Sequence, residues 1–124
     1  MKKIILILPA LLLLVSCYKQ QRSCKDFMTG KFKFEYEIDG QKKITLFERK
    51  GDIEIETFEG RVDTASIRWI NDCEYVLQKI HPRNMQEKKA VHMKILTTNE
   101  NSYTFEFSMV GDTNKQKGTV TKIN

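Results

Sequence analysis

The sequence predicts an all-β fold of about eight short antiparallel strands in a meander, closed as a small barrel or folded as a sandwich. Three observations predict it. Apolar and polar residues alternate through most of the chain after residue 30, the period-two pattern of half-buried strands. Turn residues separate the alternating runs at spacings of roughly 8 to 12 residues. No stretch of the domain carries the apolar repeat of a long helix, which argues against a βαβ nucleotide-binding fold.

The first strand, Lys31 to Ile38, reads KFKFEYEI, with Phe32, Phe34, Tyr36 and Ile38 on one face. Asp39-Gly40 turns the chain, because glycine reaches positive φ at little cost. Ile44 and Leu46 mark a second strand, closed by Lys50-Gly51-Asp52. Ile53 and Ile55 alternate with Glu54 and Glu56 in a third, closed by Glu59-Gly60. Thr64 to Ile70 forms a fourth, with Ala65, Ile67 and Trp69 on one face. Asn71-Asp72 leads into a fifth, Cys73 to Ile80, with Tyr75 and Leu77 inward. A polar break from His81 to Lys89 holds Pro82 and has room for one helical turn. Val91, Met93 and Ile95 mark the sixth strand, Tyr103, Phe105, Phe107 and Met109 the seventh, and Gly118 to Ile123 the eighth. On this reading about 20 apolar side chains point inward, enough to fill a small barrel, since eight strands leave room for side chains or for one small ligand.

The start of the chain reads differently. Lys2 and Lys3 precede an apolar run from Ile4 to Val15, the length of a signal-peptide core and too short for a membrane span of roughly 20 residues. Leu14-Val15-Ser16-Cys17 follows and resembles the lipobox of bacterial lipoproteins. That resemblance implies removal of residues 1–16, a diacylglyceryl group on the Cys17 thiol and acylation of the new amine. Two or three acyl chains anchor stably, at about 0.8 kcal/mol per buried methylene. Residues 17–23 are then the lipidated cysteine and a short tether, and 24–124 the β domain. The partner implied is a membrane, through Cys17. The tether Tyr18-Lys19-Gln20-Gln21-Arg22 is basic, and position 18 is not Asp. By resemblance to lipoprotein sorting signals, both features point to the periplasmic leaflet of an outer membrane.

The full chain carries 21 Lys and Arg against 16 Asp and Glu. Loss of Lys2 and Lys3 leaves 19 against 16, a formal charge of +3. These basic residues are scattered among acids, as in Lys31-Lys33-Glu35-Glu37, rather than gathered into the patch a nucleic-acid partner requires.

With Cys17 assigned to lipid, Cys24 and Cys73 remain as an even pair in an oxidising compartment, and a disulfide between them is expected. Two reduced core cysteines are the alternative. A catalytic Cys73 is disfavoured because Asp72 and Glu74 would raise its thiol pKa. His81 and His92 lack metal-ligand spacing, so neither a metal nor a cofactor is expected. Glu54 and Glu56 share one strand face, where a solvated polar surface explains them better than a glycosidase pair. The aromatic residues Phe32, Phe34, Tyr36, Trp69, Tyr75, Tyr103, Phe105 and Phe107 are the candidates to line a ligand pocket, with core packing as the competing explanation.

Two further resemblances bear on the domain. Thr29-Gly30-Lys31-Phe32 resembles the G-x-W opening of lipocalins and related calycin barrels, with Phe in place of Trp. Cys24 to Phe32, Asp63 to Tyr75 and Ile95 to Glu106 together resemble small lipoproteins of Bacteroidota, flavobacteria in particular, and span nearly all of the mature chain. Members of that family sometimes carry the name DNA topoisomerase IV. An export leader and the lack of a nucleotide-binding glycine loop argue against such an activity here. The resemblances imply a location and a fold, not a chemistry. The function expected is a non-enzymatic interaction or structural module with a filled β core. A lipocalin-like carrier of a small hydrophobic ligand is the alternative, and an envelope hydrolase a remote one.

Overall fold

A computed structural model describes residues 22–124; Cys17, the leader and most of the tether lie outside the described residues. Eight strands follow one another: β1 (Gly30–Ile38), β2 (Gln41–Lys50), β3 (Ile53–Phe58), β4 (Arg61–Asn71), β5 (Glu74–Lys79), β6 (Val91–Thr98), β7 (Ser102–Met109) and β8 (Gln116–Lys122). Each pairs antiparallel with the next, and β8 returns to β1 with Phe32 opposite Lys122 and Phe34 opposite Val120. The sheet is therefore a closed barrel, not a sandwich, with a short closing seam in which Phe32, Lys33 and Phe34 of β1 pair with β8. The polar break folds as a single turn against the wall, with the Lys88 amide donating to the Asn84 carbonyl.

Two-residue turns set the register of the first half. Asp39 and Gly40 both take positive φ (52° and 77°), as do Glu59 and Gly60 (48° and 78°), the combination whose twist matches paired strands. The turn at Asp39-Gly40 places Ile38 opposite Gln41, and counting back pairs Phe34 with Thr45 and Phe32 with Phe47. Residues directly opposite share a face, so Thr45, Phe47 and Arg49 point inward. Ile44 and Leu46, the residues that mark this strand in the sequence, face solvent at 45% and 43% exposure. The turn at Gly51-Asp52 then pairs Arg49 with Glu54 and Phe47 with Glu56. Glu54 is buried and Glu56 half-buried, while Ile53 is 41% exposed. This corrects the expectation that Glu54 and Glu56 form a solvated face: the turn lengths override the hydrophobic alternation of β2 and β3. In β4, β5 and β7 the expected inward residues do face in, with Ile67, Tyr75, Tyr103 and Phe105 buried.

One end of the barrel is plugged. A short 3-10 helix, Cys24–Phe27, lies across it with Cys24 and Phe27 buried. A disulfide joins Cys24 to Cys73 in the β4–β5 turn, closing a separation of 49 residues. The Lys122 ammonium donates to the Asp26 carbonyl at 2.7 Å, and the Lys31 amide to that of Asn124 at 3.0 Å. Above the plug, aromatic rings fill the interior: Phe27 meets Tyr103 edge-on at 5.1 Å, and Phe32 stacks on Phe47 at 5.1 Å. β8 contributes Gly118 there because a side chain would not fit. A Cβ at that position would stand 2.8 Å from the Phe105 ring and 2.9 Å from Phe34.

Candidate functional site

The barrel interior has two halves, and one arginine divides them. Arg49 enters from β2 just above the plug and is 1% exposed. Its Nε donates to the Glu54 carboxylate at 3.1 Å, one terminal nitrogen to the Phe27 carbonyl at 2.8 Å, and the other to the hydroxyls of Tyr75 (2.5 Å) and Tyr103 (2.8 Å). The guanidinium carbon also lies 4.8 Å from the Phe32 ring centre, 5.1 Å from Phe47 and 5.8 Å from Trp69. A guanidinium does not deprotonate in proteins, so this is a permanent buried charge, tolerated because it is paired and hydrogen-bonded. Burial pushes both phenols above the usual tyrosine range, which keeps them neutral.

Toward the opposite end the barrel is hollow. A cavity of about 560 Å³ opens beside the β1–β2 turn and the start of β8, where Ile38, Gln116 and Lys117 stand at its mouth. Phe34, Tyr36, Phe105 and Phe107 wall it together with Phe47, Leu77 and Met93, and Tyr75 and Tyr103 lie at its floor with Arg49. A side chamber of about 260 Å³ adjoins it beneath the turn at residues 85–88, and Glu54, Glu56 and Leu77 line both spaces. The interior is thus packed solid at one end and empty at the other.

Six of the eight aromatic residues expected to line a pocket do so; Phe32 and Trp69 do not. Phe32 is fully buried against Arg49, and Trp69 lies 4.5 Å from Tyr75 on the plugged side, with its indole nitrogen buried and without a hydrogen-bond partner among the described residues. The polar floor, Arg49 and Glu54, was missed as functional because charged residues usually mark a solvent face. Turn counting from Asp39-Gly40 would have found both. His92 sits on the outer wall, 3.1 Å from the Glu74 carboxylate, and its hydrogen bond holds that carboxyl below the usual range. Cys73 is spent in the disulfide. Among the described residues no His, Cys, Asp and Glu are grouped to hold a metal.

Of the three carboxyls that line the cavity, Glu37 is exposed, while Glu54 and Glu56 are withdrawn from solvent and differ in their partners. Burial pushes Glu54 up, opposed by the adjacent Arg49 guanidinium. Burial also raises Glu56, and the neighbouring Glu54 and Asp63 charges add to the rise while Lys79 opposes it. Lys79 is committed elsewhere, 2.8 Å from Glu87 and 3.6 Å from Asp63. A carboxyl whose folded pKa is raised contributes stability at pH values below its unfolded pKa and loses it as pH rises through the folded pKa. Glu56→Gln, which cannot ionise, is therefore expected to raise the unfolding midpoint at neutral pH. It should bring no gain near about pH 4, where the unfolded carboxyl is itself largely protonated. Thermal unfolding of both proteins at the two pH values checks this; a variant less stable at neutral pH would mean that Glu56 is already paired.

No family model, curated protein or solved structure matches the chain. The functional reading therefore rests on this cavity and on the leader.

Proposed function

We propose that this protein is a non-enzymatic envelope lipoprotein, anchored by lipid on Cys17, whose barrel carries one small apolar ligand. The observation that carries the ligand reading is the hollow of about 560 Å³. Its size lies in the range of small-molecule sites, and its aromatic walls around a few convergent polar groups match their usual composition. An eight-stranded barrel has room for one small ligand, the use that lipocalin-like carriers make of it. The hollow shifts the weight from a module with a filled core to a carrier. The anchoring reading draws its support from the LVSC leader, and the basic tether supports a place on the periplasmic leaflet of an outer membrane.

Two measurements test the two parts. Decanol titrated into the mature domain should bind saturably and change the emission of Trp69, which contacts the cavity-floor residue Tyr75. At a hundredfold excess over its dissociation constant, it should stabilise the fold by about 2.7 kcal/mol. Titrations that show neither saturation nor stabilisation would remove the carrier reading. Cells fed an alkyne fatty acid should label the wild type and not Cys17→Ala; equal labelling of both would remove the anchor.

A surface that meets other envelope proteins is the second reading. Leu46 and Val62, 43% and 62% exposed, flank Thr57 on the outer wall of β2, β3 and β4, and Ile44 and Ile53 share that face. Leu46→Lys separates the two readings, since it lies outside the cavity and leaves probe binding unchanged.

A further inference from the structure

Resting on the carrier reading, we infer that the ligand is a small organic amine: a protonated nitrogen, borne on an apolar body, that pairs with Glu56 inside the barrel. The inference starts from what the cavity offers and what it already satisfies. Its one buried cation, Arg49, already commits four of its five N–H donors to Glu54, the Phe27 carbonyl and two phenols, and its charge is balanced by Glu54. The two withdrawn carboxylates are unequal: Glu54 is paired at 3.1 Å, while Glu56 forms no ion pair among the described residues. Glu37, Glu54 and Glu56 thus stand against Arg49 and Lys117 around the cavity, an excess of one negative charge.

Three ligand classes meet this interior differently. An anion would add like charge beside Glu54 and Glu56. A neutral apolar molecule would bury Glu56 further and leave it unpaired, which is costly. A cation would supply the missing partner through a charge-assisted hydrogen bond, the stronger kind. The walls fit the same choice. Phe34 stacks on Tyr36 at 5.0 Å and meets Phe105 edge-on at 5.4 Å, and ring faces attract ammonium groups. The mouth and the apolar walls then accommodate the rest of the molecule.

Three indole probes that differ only in their head group test this: tryptamine (cationic), tryptophol (neutral) and indole-3-acetate (anionic). Each is titrated calorimetrically at neutral pH into the chain from residue 17 carrying Cys17→Ser. All eight strands, the plug and the disulfide lie within that chain, and circular dichroism with thiol counting first verifies the barrel. Tryptamine should bind at least tenfold more tightly than tryptophol, about 1.4 kcal/mol, and indole-3-acetate more weakly than either. Glu56→Gln should erase the tryptamine advantage and leave tryptophol unchanged. Equal binding of all three, or an amine preference that persists in Glu56→Gln, overturns the amine assignment and leaves the carrier standing. If none of the three binds and decanol does not either, the carrier reading itself falls.

Discussion

Arg49→Met should destabilise the barrel by about 3 to 5 kcal/mol, the cost of leaving one member of a buried ion pair without its partner. Five elements converge on this side chain. It leaves β2, pairs with Glu54 on β3, holds the plug through the Phe27 carbonyl, and donates to the hydroxyls of Tyr75 on β5 and Tyr103 on β7. Methionine keeps much of the volume and removes every hydrogen bond, so the loss reports pairing more than packing. Small domains have total stabilities of about 5 to 15 kcal/mol, and a loss of this size approaches the limit. Arg49→Met combined with Glu54→Gln separates the causes. If the stranded carboxylate is the main cost, the double variant recovers a large part of the loss in urea titrations. A single variant that loses less than about 1 kcal/mol would show that the web around Arg49 contributes little.

The second large effect is expected at the plug. Cys24→Ala with Cys73→Ala opens a covalent loop of about 50 residues, and the chain-entropy model assigns such a closure about 4 kcal/mol. The bond joins the segment that closes the barrel floor to the β4–β5 turn, so its loss also frees the floor. Wild-type protein with reductant should unfold at the denaturant midpoint of the double variant, and without reductant at a clearly higher one. Coincident midpoints in all three samples would mean that packing of Phe27 alone holds the plug.

Much of this fold is legible in the sequence because its strands are short and their turns explicit. KFKFEYEI-DG states a strand, its inward face and its hairpin within ten residues, and the structure returns all three. Trp69 and Tyr75 could be placed on the inner face from alternation alone. The second and third strands misled for a physical reason. Their alternation puts Ile44, Leu46 and Ile53 on one side, which in an ordinary half-buried strand is the core side. Here the core side carries Thr45, Arg49 and Glu54, because the barrel interior contains a paired charge that period-two reasoning counts as surface. The turn lengths hold the correct information: two residues between strands fix which positions oppose each other, and the inward face of β1 then dictates that of β2 and β3. The cavity was legible only as a set of aromatic residues. Whether such rings meet across the barrel axis depends on closure and tilt, which no local pattern encodes.

The chain enters the barrel at the plugged end. Arg22 donates to the Ile95 carbonyl, the Ser23 amide to the Thr98 hydroxyl, and Cys24 is locked to Cys73 beside them. With lipid on Cys17, only five peptide steps separate bilayer and barrel, a reach of at most about 18 Å. The mouth lies a further strand length away, about 25 Å at 3.3 Å per residue. On the proposed anchor the barrel would then stand floor-down, like a cup set on a table, with its opening away from the acyl chains. On the proposed carrier function, cargo would then pass between the barrel and the aqueous space, received from solution or from a protein standing opposite and not drawn sideways out of the bilayer.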